Sequence, residues 1–143
     1  MAHDPDDFDW VSAQAKCTTT TMFEHLRTQV QADVVRRNGL FGRDDGMRFE
    51  VHDSEDEEED AFDVARLEGR GPSPQVTALV VFARAGKRIH ITSEDFEIDV
   101  TAIVTLDPAG VCRYVVGEAI YSEWEIRRMA LEQLFFEERE DEA

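Results

Sequence analysis

Three arginines stand on strand faces that are otherwise apolar: Arg66 beside Phe62 and Val64, Arg84 beside Val80 and Phe82, and Arg113 beside Val111 and Val115. Burying a lone guanidinium is costly, so each must snorkel to water or meet a carboxylate or a ligand anion. Gln133 stands in a similar way on the inner stripe of the last helical segment. Tyr114 and Trp124 each carry a large ring with one polar handle, which suits a packed core or the wall of a cavity. The other chemistry-bearing residues are scattered. His25, His52 and His90 lie far apart, with no His-x-His or Glu-x-x-His spacing, and His3 sits near the N-terminus. They spell out no zinc-type set. Residues 53–60 hold seven carboxylates and one serine, without the order and glycine of a calcium-binding EF-hand loop. Glu97 and Asp99 share a strand face with Thr101, but that face is the polar one, where solvated acids are expected rather than an acid–base pair. Ser12, Ser54, Ser73, Ser93 and Ser122 lack a G-x-S-x-G context. With no catalytic motif, no metal set and no cofactor signature, the chain reads as non-enzymatic.

The elements that must position these residues follow from periodicity. In residues 10–17, Val11, Ala13, Ala15 and Cys17 alternate with Ser12, Gln14 and Lys16, which predicts a half-buried first strand. Thr21 and Glu24 have the spacing of a capping box, and Met22, Phe23, Leu26, Val30 and Val34 then form one helical stripe that Asn38-Gly39 should stop. From Gly46 the period returns to two. Six strand-like segments are expected, at 46–52, 61–68, 75–84, 87–92, 96–106 and 111–120, with the acidic stretch 53–60 as a solvated hairpin tip. The segment 75–84 is apolar on both faces, as a covered strand is. Phe96, Ile98, Val100, Ala102 and Val104 form the longest alternating face and should point at the last helix. Ser122 and Glu125 repeat the capping-box spacing and open a helix over 123–138, with Ile126, Met129, Ala130, Gln133 and Leu134 on one face.

These elements give an α+β class: a seven-stranded curved antiparallel sheet, one helix after the first strand, and a long C-terminal helix packed on the sheet. At 143 residues with 42% hydrophobic content, one domain with a real core is expected. Its parts are a flexible acidic N-terminus at 1–9, a single domain at 10–138 and an acidic tail at 139–143. No apolar run approaches the ~20 residues of a membrane helix, and the first ten residues are acidic rather than signal-like. A cytoplasmic location, with no membrane contact, is therefore expected. Cys17 and Cys112 sit alone and read as buried free thiols, with an inter-strand disulfide as the alternative.

The net charge is −17, from 32 acids and 15 bases. Such a surface repels nucleic-acid phosphates, so no nucleic-acid partner is expected. The acidity reads as adaptation to a salty host, as a surface for a basic protein partner, or as mimicry of nucleic-acid phosphates. Its clustering at 4–9, 53–60 and 137–142 tilts towards solvated ends and one loop.

The order of strand, helix, six strands and helix, with Val11-Ser12-Ala13-Gln14-Ala15 followed by Met22-Phe23 and Leu26, resembles the helix-grip fold of the START-like, or SRPBCC, superfamily. The resemblance implies a non-enzymatic protein, monomer or homodimer, that holds an apolar or amphipathic small molecule between the sheet and the C-terminal helix. Arg66, Arg84, Arg113, Tyr114, Trp124 and Gln133 are then the candidate ligand-binding residues. The alternative is an acidic protein-interaction module of chaperone, immunity or nucleic-acid-mimic type, acting on a basic partner. A void between sheet and last helix favours the first, and a filled core with an exposed apolar patch favours the second.

Overall fold

The alternating segments after residue 46 pair in sequence order into one sheet. The computed structural model describes residues 8–41, 46–54, 60–69 and 73–137. The strands β1 (Met47–Asp53), β2 (Asp60–Glu68), β3 (Gln75–Ala85), β4 (Arg88–Ser93), β5 (Ile98–Leu106), β6 (Cys112–Val116) and β7 (Ala119–Tyr121) lie side by side in that order. Each is antiparallel to the next. The expected last strand at 111–120 is two strands, because Gly117 adopts φ 59° and folds β7 back along β6. That left-handed conformation is cheap for glycine alone. The sheet thus has seven strands, although residues 10–17 are not among them.

Those residues correct the sequence reading. Trp10–Lys16 is a helix, α1, whose start is capped by Asp9: its carboxylate accepts from the Ser12 backbone N–H at 3.0 Å and from the Ser12 hydroxyl at 2.6 Å. No residue of α1 is buried. With no face to bury, an alternation made mostly of small alanines selects nothing, and the helix propensity of Ala, Gln and Lys decides. The next helix, α2 (Thr19–Phe41), also differs at both ends. It starts earlier than Thr21, because the Thr18 hydroxyl oxygen accepts from the Thr21 N–H at 3.1 Å. It also runs through Asn38-Gly39. The Asn38 amide instead accepts from the Phe49 N–H at 3.0 Å and donates to the Phe49 carbonyl at 2.9 Å. It thereby covers the open edge of β1 as a neighbouring strand would. The last helix, α3 (Glu123–Phe136), keeps the expected capping box of Ser122 and Glu125. The backbone N–H of Ser122, and then its hydroxyl, hold the Glu125 carboxyl below the usual range.

One face of the sheet carries the core. Phe49, Phe62, Val64, Val80, Phe82, Ile89, Ile91, Ala102 and Tyr114 are buried against Phe23, Leu26, Val30 and Val34 of α2 and Ile126, Ala130, Leu131 and Leu134 of α3. Phe96, Ile98, Val100 and Val104 pack at the margin of the same cluster, so the predicted face of β5 turns to the helix layer, where it meets α2 more than the last helix. Cys17 and Cys112 form a disulfide, which corrects the free-thiol reading and ties the α1–α2 junction to β6. Their distance of 95 residues in sequence left the disulfide as the alternative reading, because the two meet only once α2 lies across the sheet.

Candidate functional site

The polar residues singled out in the sequence do not converge. Arg66 lies beside the bulge between β2 and β3, where its Nε donates to the Thr77 hydroxyl at 3.1 Å and its Nη1 meets Glu137 at 3.4 Å. Arg84 pairs with its cross-strand neighbour Asp60 at the far end of the same strands. Arg113 pairs with Asp107 at 3.2 Å across the β5–β6 turn. Each of these cations has thus found a carboxylate of the chain, and Arg113 does so on the outer face of the sheet, opposite exposed Thr105 and on the other side of β6 from the core residue Tyr114. Tyr114 is a core residue, with its hydroxyl donating to the Met22 carbonyl at 3.3 Å. Burial, and then the negative charge of Glu123, raise its pKa well above the ordinary phenol value. Gln133 is exposed and so does not sit on the inner stripe. Trp124 is 56% exposed and leaves the core altogether.

The space expected to hold a ligand is occupied by rings. Phe62 stacks on Phe82 with centroids 4.8 Å apart, Phe23 lies 5.4 Å from Phe62, and Phe49 meets Phe135 edge-on at 4.9 Å. Among the described residues, this interior is a packed core rather than a vessel.

A groove of about 710 Å³ lies instead on the solvent side of the helix layer, along the seam of α2 and α3. The two helices run the same way, since His25 meets Glu123, Asp33 meets Arg127 and Phe41 meets Phe136 in order along the seam. Leu40, Trp124, Leu131, Phe135 and Phe136 give the groove its apolar walls. Two of them are unusually open for their type, Leu40 at 79% and Phe136 at 55% exposure. Cations complete it: Arg36 and Arg37 from α2, Arg127 and Arg128 from α3, with Asp33 and Glu132 as the acids. Arg37 is set into the wall, its guanidinium 4.1 Å from the Phe41 ring centre and 4.9 Å from that of Phe49, with Nε donating to the Phe135 carbonyl at 2.8 Å. Such stacking suits the planar, weakly hydrated guanidinium. Arg127 Nη1 lies 2.7 Å from both carboxylate oxygens of Asp33 and locks one helix to the other.

Of the six candidates, Trp124 alone lines this groove. The sequence did carry a signal for the rest, two Arg-Arg pairs at 36–37 and 127–128 in a chain with fewer than half as many bases as acids. Reading strand faces for stray cations passes over helix pairs, because each helix alone shows only a solvated polar face. Among the described residues, no group of three or more His, Cys, Asp or Glu side chains could hold a metal ion, and no helix is long and apolar enough to cross a membrane. No protein-family model matches the chain, and neither a curated protein nor a solved structure matches it.

Proposed function

We propose that this protein is a non-enzymatic binding protein for an amphipathic small molecule, taken up in the α2–α3 groove. The observation that carries the reading is a concave surface along which exposed Leu40, Trp124 and Phe136 gather beside the seam of two helices. Its volume of about 710 Å³ falls in the ~300–1,000 Å³ span of small-molecule sites. The seven-stranded sheet with its C-terminal helix is compatible with a helix-grip topology. The START-like resemblance would put a ligand between sheet and helix; this reading keeps its ligand class only and moves the site to the far side of α3. A compartment that keeps Cys17 and Cys112 oxidised belongs to this reading, because a reducing cytoplasm would open the bond.

The two tryptophans make the test direct. In a Trp10→Phe variant, Trp124 is the sole indole, and dodecanol should produce a saturable blue shift of its emission. Leu40→Glu and Phe136→Glu should abolish the shift while leaving the far-ultraviolet circular dichroism intact. A shift that survives both substitutions, or none in the parent, defeats the proposal. The second reading, an acidic module for a basic protein, is favoured by the net charge of −17 and by the filled core with apolar side chains exposed outside it. Selective loss of a captured basic protein when the acids at 55–60 are replaced by Ser and Gly would support it; residues 55–59 lie outside the described structure, and Asp60 begins β2.

A further inference from the structure

We infer that the ligand of this groove carries one negative head on its apolar body, and that Arg36 and Arg128 read that head; the inference rests on the binding function proposed above. The groove reverses the sign of the molecule. Among the described residues, four arginines and two carboxylates line it, whereas the chain as a whole has 15 bases and 32 acids. The four cations are not equivalent. Arg127 is committed to Asp33 at 2.7 Å, and Arg37 is held by ring faces and the Phe135 carbonyl. Arg36 and Arg128 are different: their side chains are 68% and 65% exposed, and each is partnered from its own helix, by Asp33 at 3.4 Å and by Glu132 one turn on. Exposed pairs of this kind are weak and are readily exchanged for a better acceptor. Asp33 already serves Arg127, so Arg36 has the weaker share of that carboxylate.

Both arginines share the groove with Trp124, Leu131, Leu40 and Phe136, so a carboxylate held by them has an apolar wall beside it for its chain. The source is a free small amphiphile rather than a bilayer or an acidic protein. Fields are screened over ~8 Å at physiological salt, so a small monoanion inside the groove senses its arginines. An extended anionic surface would also face the acids that dominate the rest of the chain, at a net −17.

The test uses the full chain carrying Trp10→Phe, titrated below their aggregation limits with dodecanoate, dodecanol and dodecyltrimethylammonium, following Trp124 emission. Dodecanoate should bind about tenfold more tightly than dodecanol, the worth of a charge-assisted contact. The preference should fall to about twofold in the Arg36→Gln/Arg128→Gln variant and shrink in high salt, with an unchanged far-ultraviolet circular dichroism to show that the variant is folded. Equal binding of dodecanol and dodecanoate, or tighter binding of the cation, overturns the inference and leaves the proposed function standing. Binding of none of the three overturns both. Capture of the protein by phosphatidylserine vesicles, with no response to dodecanoate, overturns the inference in favour of a membrane surface.

Discussion

The two faces of the α2–α3 layer are built by the same helices and have opposite characters. Towards the sheet, Leu26, Val30, Ile126, Ala130 and Leu134 are sealed from water. Towards solvent, Leu40, Trp124 and Phe136 are left open among arginines. The inner face repays the conformational entropy of folding through apolar burial. The outer rings contribute little of that kind. Substitutions should therefore separate cleanly, with stability lost on the inner side and binding lost on the outer.

The largest effect should come from the tie that holds the layers together. Closing a loop of roughly 100 residues is worth about 4–5 kcal/mol in the chain-entropy model, and Cys17 and Cys112 are 95 residues apart. Reduction, or the double change to Ala, should cost up to that amount in chemical denaturation. Leu134→Ala follows, at about 2–5 kcal/mol for a fully buried leucine. A loss below about 0.5 kcal/mol would show that α3 is peripheral and erase the contrast between the faces. Asp33→Asn strips Arg127 of its partner at the seam and should cost about 1–3 kcal/mol. Adding Arg127→Met to that variant should recover part of the loss, because no half-buried charge then remains.

Tyr114 sharpens the comparison through pH. Its pKa is raised above the ordinary 10.0, chiefly by burial. The folded state therefore keeps the phenol proton at a pH where the unfolded chain has released it. Its contribution is complete below about pH 10 and is lost as pH climbs further. Tyr114→Phe should remove about 0.5–1.5 kcal/mol at neutral pH, for the bond to the Met22 carbonyl, and flatten the alkaline fall in stability. The smallest effect belongs to the outer face. Trp124→Ala should change stability by less than about 0.5 kcal/mol yet weaken dodecanol binding, measured by calorimetry since the reporter indole is gone.

Much of the fold was legible where side chains alternate against a real interior. The faces of β2, β3 and β5 and the stripe of α2 were readable because each buries a large apolar set, which only one period satisfies. Residues 10–17 were not readable in that way, since exposure removes the constraint that makes a period informative. Trp124 misled for a related reason. It flanks the apolar stripe of α3, and the helix alone does not say where the buried arc ends.

Binary pattern and local capping determined that this chain makes an α+β domain with a helix closing on an antiparallel sheet, because both act within a few residues of sequence. Ser122 and Glu125 find each other in any context that lets α3 start. The Cys17–Cys112 bond, the Asn38 cover on the edge of β1, the pairing of Arg66 with Glu137 and the groove of Arg36, Arg37, Arg127 and Arg128 were decided only by the tertiary structure. Each joins residues far apart in the chain, and their meeting depends on how α2 and α3 settle side by side on the sheet, a geometry set by packing and written in no single segment.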